Sequence, residues 1–326
     1  MNRRIFKRYA PMLILPMLLI ALACTSGDSA PTPEVSAPAP EANVSPVLNV
    51  VTTIYPVTYF AKRVGGDRAT VKSLIKAGVD AHDFEPTPSD IIKISDADVL
   101  VYNHPAFESW VAEAISTSGS ESLIVVKAAD LPEDIEFKDA HGDEHGDEHE
   151  TLLDPHVWLN PVEAVEQARA IQAAFTNADQ AGASTYAENA DVLIAELLAI
   201  DKKFIDGLES CALDRVIVSH EAYGHMAERY SFEQIGLSGL STEAEPGPQR
   251  IAKIIDEIKI LGVSHILQEP IGNQELAESV ASETDTEVLP FHPMESLTPA
   301  EFDSGETYFS IMDENLKSLR AALRCE

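Results

Sequence analysis

From Leu48 onward, short unbroken apolar runs alternate with stretches whose apolar residues recur every three or four positions. The first pattern marks a strand buried on both faces, and the second marks an amphipathic helix. Leu48 to Ile54 reads as a strand. A helix beginning at Tyr55-Pro56 follows and ends at Gly65-Gly66, a glycine stop. Ala69 to Ile75 is the next strand, and Ala77 to Pro86 is a loop at its carboxyl end. A helix opens at Thr87-Pro88, with Thr87 as N-cap and Pro88 in the first turn. Asp98 to Tyr102 reads as a strand, Ala106 to Ser118 as a helix, and Ser122 to Val126 as a strand. From Pro161 to Leu208 the spacing is helical throughout, with Val162, Val165, Ala168 and Ile171, then Tyr186, Leu193, Leu197, Ile200, Phe204 and Leu208 on the apolar side.

The strand–helix rhythm then returns. Strands are expected at Arg215–Ser219, Ile235–Leu240, His265–Gln268 and Thr286–Leu289. Helices are expected at Tyr223–Tyr230, Gln249–Leu261, Gln274–Ser282 and Gly305–Leu323. Strands alternating with helices predict parallel, helix-covered sheets. The expected fold is α/β, with an N-terminal lobe over 47–180, a linking helix over 181–210 and a C-terminal lobe over 211–326. A helix of about 25 residues spans about 37 Å, so it reads as a rod joining two lobes; a hairpin packed on one lobe is the alternative.

The first 46 residues lie outside this rhythm. Arg3, Arg4, Lys7 and Arg8 precede a short apolar core, Pro11 to Leu22, which reads as an export signal over 1–24. Ala21-Leu-Ala-Cys24 resembles a bacterial lipoprotein processing site with Cys24 as the lipidated residue. Residues 25–46, rich in Ser, Pro and Ala, read as a disordered tether. In an exported chain the remaining cysteines, Cys211 and Cys325, are expected to pair. The formal charge of −31 over 326 residues argues against nucleic acid as a partner and raises the local concentration of cations.

Histidines occupy the loops where an α/β sheet binds ligands. His82 lies in the loop after the second strand, and His220 ends the first strand of the second half. His156 sits in Leu153-Asp-Pro-His-Val-Trp-Leu-Asn-Pro161, stiffened by Pro155 and Pro161. Pro290-Phe-His292-Pro-Met-Glu295 follows the last strand. Each residue taken alone reads more readily as an ordinary turn or core side chain; four such loops, two per half, suit a metal held between lobes. His104, His225 and His265 read as structural. The acidic run His141-Gly-Asp-Glu-His145-Gly-Asp-Glu-His149, within a loop over 138–150, is a poor helix and reads as solvated.

Several segments together resemble the metal-binding solute receptors of bacterial ABC importers for zinc and manganese. They are Thr53-Ile-Tyr-Pro56, Gly78-Val-Asp-Ala-His82-Asp-Phe-Glu-Pro86-Thr-Pro-Ser-Asp90, Asp154-Pro-His-Val-Trp-Leu-Asn-Pro161, Ser219-His-Glu-Ala-Tyr-Gly224, Glu245-Pro-Gly-Pro248 and Pro293-Met-Glu-Ser-Leu-Thr298. The resemblance implies two lobes joined by one rigid helix, with a buried metal ligated by His82, His156, His220 and Glu295. His292 or a water is the alternative fourth ligand. Ala81 stands where the family usually has proline. Three imidazoles and one carboxylate suit zinc, while the manganese branch carries a carboxylate at the position of His220. His141, His145 and His149 resemble the zinc branch's histidine-rich loop, an auxiliary zinc collector. The implied chain is a monomeric, lipid-anchored, extracytoplasmic receptor that delivers zinc to a membrane permease driven by an ATPase. A manganese or iron receptor, a metal-stabilised adhesin and a zinc hydrolase are the rival readings; no His-Glu-x-x-His pattern supports the last.

Overall fold

The computed structural model describes residues 48–129, 131, 153–240 and 246–326. The expected leader with Cys24, the tether, the run containing His141, His145 and His149, and Glu245 lie outside the described residues.

Two four-stranded parallel sheets share one topology. The first contains β1 (Leu48–Thr52), β2 (Ala69–Ser73), β3 (Val99–Tyr102) and β4 (Ile124–Lys127) in the order β2-β1-β3-β4. The second contains β5 (Arg215–His220), β6 (Glu233–Ser238), β7 (His265–Gln268) and β8 (Glu287–Pro290) in the order β6-β5-β7-β8. In each, the first strand sits centrally and the connections leave it on both sides, creating a switch point at the carboxyl ends. The inner strands β1, β3, β5 and β7 are short and apolar because both faces are covered, while β2, β4 and β8 at the edges are partly exposed.

The helices follow local chemistry. α1 (Tyr55–Gly65) stops at Gly66, whose φ of 50° suits glycine. α2 (Pro88–Ser95) starts where the Asp90 carboxylate accepts the Thr87 backbone N–H at 2.9 Å. α3 (Val111–Ser118) is shorter than the pattern predicts. Residues 106–110 form turns because the buried Glu108 carboxylate accepts the backbone N–H groups of Asn103 and His104, at 3.1 and 2.8 Å. Those bonds fold the chain back toward β3 rather than into a helix. α4 (Pro161–Ala178) opens on an Asn160 cap and is followed, after a short turn, by the 26-residue α5 (Ala183–Leu208).

α5 packs along elements of both halves of the chain. Its first half packs on α1 and α4, with Asn189 bonded to the Val64 carbonyl and Glu196 paired with Arg63. Its second half meets α6 (Gly224–Tyr230), where Asp201 takes the Arg229 guanidinium through both oxygens and Phe204 stacks on Tyr230. The second half continues through α7 (Pro248–Leu261) and α8 (Gln274–Thr284). A short α9 (Pro299–Ser304) was not expected. The reciprocal bonds between Thr298 and Glu301 start it, and Gly305 ends it before α10 (Tyr308–Leu323).

One apolar core runs through both sheets, from Val50, Phe60 and Phe175 to Leu193, Phe204, Val218 and Met312. Tyr308 at the start of α10 packs edge-on against Phe60, 5.1 Å between centroids, and donates to the Trp158 carbonyl at 2.6 Å. Among the described residues no helix is long and apolar enough to cross a membrane.

Cys211 and Cys325 form a disulfide that ties the approach to β5 to the chain terminus, 114 residues apart. Cross-linking so long a loop restricts the unfolded chain. Replacing both cysteines with serine should therefore cost about 2–4 kcal/mol. Urea unfolding of the ion-free protein reads this as a lower midpoint; an unchanged midpoint would contradict it.

Candidate metal centre

Four loops at the carboxyl ends of the strands converge. His82 comes from the loop between β2 and α2, His156 from the turn preceding α4, His220 from the last position of β5, and Glu295 from the segment after β8. One donor atom from each lies within 4.8 Å of all the others. The Nε2 atoms of His82, His156 and His220 stand 3.2, 3.1 and 3.3 Å from the same oxygen, Glu295 Oε1. The edge of a tetrahedron around zinc with ligands at 2.0–2.2 Å is about 3.3–3.6 Å, so these separations are close to those of a four-coordinate site.

The protons make the arrangement informative. Asp154 Oδ1 faces His156 Nδ1 at 2.7 Å and also accepts the His156 backbone N–H at 2.9 Å. A carboxylate only accepts, so Nδ1 carries the hydrogen and Nε2 of the neutral ring is a lone pair aimed at another carboxylate. A proton or a cation must lie between them. His82 and His156 already occupy the hydrogen-bonding directions of Glu295 Oε1. His220 Nε2 is buried without a hydrogen-bond partner. A single divalent ion satisfies all three nitrogens and the oxygen together.

Three carboxylates set the local charge. Glu269 Oε2 lies 2.9 Å from His220 Nδ1, a close ion contact whose angles fall outside hydrogen-bond geometry. In the ion-free protein, burial alone would lower the His220 pKa. The charges of Glu269 and Glu295 outweigh it and hold the ring up to about 10. His156 is raised in the same way, against burial, by Asp154 and then Glu295. Burial would raise the Glu295 pKa, but the three imidazoles hold its carboxyl well below the usual range. His225, buried in α6, supports Asp154 from behind. Its Nε2 lies 3.0 Å from the Asp154 carbonyl oxygen and its Nδ1 2.9 Å from Glu163.

The Glu295 segment is fastened to the first half of the chain. Trp158 Nε1 donates to the Pro293 carbonyl at 2.6 Å, Tyr55 N to the Glu295 carbonyl at 2.9 Å, and Gly78 N to the Leu297 carbonyl at 2.7 Å. Met294 adopts a left-handed φ of 62°, a conformation of limited cost that these bonds hold in place and that turns Glu295 inward. His292 points elsewhere. Its Nδ1 accepts the Met294 N–H at 2.8 Å and its Nε2 lies 3.3 Å from Glu301, so the geometry separates it from the four converging donors.

His104 and His265 also lie outside the cluster: His104 Nδ1 accepts the Ala106 N–H, and His265 contacts Ser264. Glu269 escaped the sequence reading, although it follows β7 directly, the position His220 holds at the end of β5 and the one a ligand-binding sheet exposes. Asp154 lies in a quoted motif, two residues before His156, but its orienting role depends on the turn.

Comparisons with known proteins place the chain in a family. The family model described as ZnuA, zinc-uptake complex component A periplasmic, matches residues 50–322. The zinc-binding lipoprotein AdcA of Streptococcus pneumoniae serotype 4 is 36% identical over 279 residues, covering 84% of this chain and 55% of the relative. The chain thus spans little more than half of that relative's length. The high-affinity zinc uptake system protein ZnuA of Bacillus subtilis is 36% identical over 279 residues, covering 85% of this chain and 88% of the relative. Among solved structures, the Zn(II)-bound ZnuA-like domain of S. pneumoniae AdcA superposes with a TM-score of 0.72 at 32% identity, covering 85% of this chain and 98% of that one. On sequence and on fold, the chain belongs to the zinc-uptake component A family of solute-binding proteins.

Proposed function

We propose that this chain is an extracytoplasmic receptor that strips zinc of its water and delivers it to the permease of an ABC importer. His82, His156, His220 and Glu295 are the four ligands in this reading. The observation that carries it is the convergence of three Nε2 atoms on one carboxylate oxygen, one of them buried and unsatisfied. Glu295 rather than His292 supplies the fourth donor, because both His292 nitrogens face other partners. Three imidazoles with one oxygen favour zinc over manganese, which suits oxygen-rich sites. Four protein donors fill a tetrahedral ion and leave no open position, which a hydrolytic zinc requires. Lipidation at Cys24 would hold the receptor at the membrane face, and His141, His145 and His149 would collect zinc weakly.

Removing one ligand should far exceed the effect of losing the collector. His220→Ala is expected to lower zinc affinity beyond the roughly 10- to 100-fold typical of outer-shell changes. Deleting residues 141–149 should lower it by less than that. Calorimetric titration of both variants checks the ranking, and equal losses would contradict the ligand assignment.

Protons compete with the metal, since imidazole binds it only when deprotonated. With the ion-free His220 held up to about 10, its ring is charged at neutral pH and must release a proton when zinc enters. Apparent affinity should therefore keep rising above pH 7, by about tenfold per pH unit for each proton displaced, and fall as the pH drops. Binding enthalpies measured in buffers of different ionisation enthalpy should report at least one proton released per zinc. Equal enthalpies in every buffer would contradict the prediction.

A further inference from the structure

The three imidazoles are backed by aromatic rings that no ligand assignment uses. Trp158 lies 5.2 Å from His156 between centroids, and Tyr223 lies 6.5 Å from His220. Both are fully buried members of the core. Phe107 differs. Its centroid is 4.6 Å from His82 and 5.8 Å from His156, so one ring lines two ligands, and a third contact at 5.8 Å sets it edge-on to Trp158. It is only half-buried, and His82 is the least buried of the four ligands. Phe107 thus covers the His82 and His156 rings from a turn that itself meets solvent. Beside Glu295, a cavity lined also by Asp80, Ala81 and Glu269 measures about 10 Å³, at the threshold for one water.

The ring is held firmly. Its neighbour Glu108 is buried, accepts the N–H groups of Asn103 and His104, and takes the hydroxyl of Thr53 at the end of β1. The Asn103 side chain then donates to the Pro155 carbonyl at 2.8 Å and accepts from Gln167 at 2.9 Å. The turn bearing Phe107 is thus tied both to the first sheet and to the residue before His156. It forms a wall rather than a free loop.

We propose that Phe107 is a specificity-determining residue: by walling the His82–His156 flank against water it confines a bound ion to four protein ligands and so favours zinc over manganese. Zinc accepts tetrahedral coordination, whereas manganese draws on six oxygen donors, several of them waters. Opening the flank admits water, raises the coordination number and erodes the preference. The inference rests on the proposed zinc-receptor reading and adds to it the residue that sets the ion's coordination number.

The test uses the full chain, its Phe107→Ala and Phe107→Leu variants, and cobalt(II) as a spectroscopic probe, because four-coordinate cobalt absorbs visible light far more strongly than six-coordinate cobalt. Wild type should show the intense four-coordinate bands. Phe107→Ala should lose most of that intensity and bind zinc roughly 10- to 100-fold more weakly, with manganese affinity equal or higher. Phe107→Leu, which keeps part of the volume, should fall between the two and carries the test if the alanine variant does not fold. An unchanged spectrum and zinc-to-manganese ratio in the variants would overturn the inference. So would equal losses for both metals with the cobalt bands intact, which mark the ring as packing alone. Weak, six-coordinate cobalt in the wild type would instead overturn the four-ligand reading beneath it.

Discussion

One carboxylate oxygen facing three imidazole nitrogens constrains this molecule more than any other contact. Glu295 Oε1 stands 3.1 to 3.3 Å from each Nε2, and Asp154 leaves one of those nitrogens as a bare lone pair in its neutral form. Buried donors and acceptors in conflict are costly. The cluster therefore requires positive charge at its centre, either protons on the rings or one metal ion. Asp154 orients the His156 ring, and Glu269, in ion contact with His220, deepens the negative field. The hydrogen-bonded Asp154–His156 pair fixes its ring and raises its basicity as a ligand.

The scaffold holds this conflict in place by sharing one core between its sheets. Tyr308 inserts from α10 against Phe60 of α1 and bonds to Trp158, and the Trp158 indole bonds to the segment that carries Glu295. Each such aromatic buries about 150–250 Å², which at roughly 25 cal/mol per Å² contributes about 4–6 kcal/mol. Exposing three of them together would match or exceed the roughly 5–15 kcal/mol that stabilises a whole domain. Wide separation of the two sheets is thus disfavoured, and the long α5 helix, buried along both halves, adds to the same effect.

Much of this was legible in the sequence because inner parallel strands buried on both faces must be short and apolar, and all eight strands, partly exposed edge strands included, lie close to their expected positions. His82, His156 and His220 stood out because loops after strands are where such sheets bind ligands. Other features depended on long-range bonds that no local pattern encodes. The start of α3 was displaced by the Glu108 carboxylate, which reaches back to residues 103 and 104. That His292 faces Glu301 while Glu295 turns toward the histidines depends on the left-handed Met294 and on Glu301, the residue that also caps α9. The Thr298-Pro-Ala-Glu301 signature for that short helix was present but lay within what read as a loop. Glu269 and Phe107 acquire meaning only when β7 and the 103–110 turn are brought against their histidines.

Zinc-edge X-ray absorption on the zinc-loaded full chain tests the centre most directly. The predicted first shell contains three imidazole nitrogens and one carboxylate oxygen, four-coordinate, at about 2.0–2.2 Å. A six-coordinate shell dominated by oxygen, or one with fewer than three imidazoles, would contradict the assignment of His82, His156, His220 and Glu295 to a single buried ion.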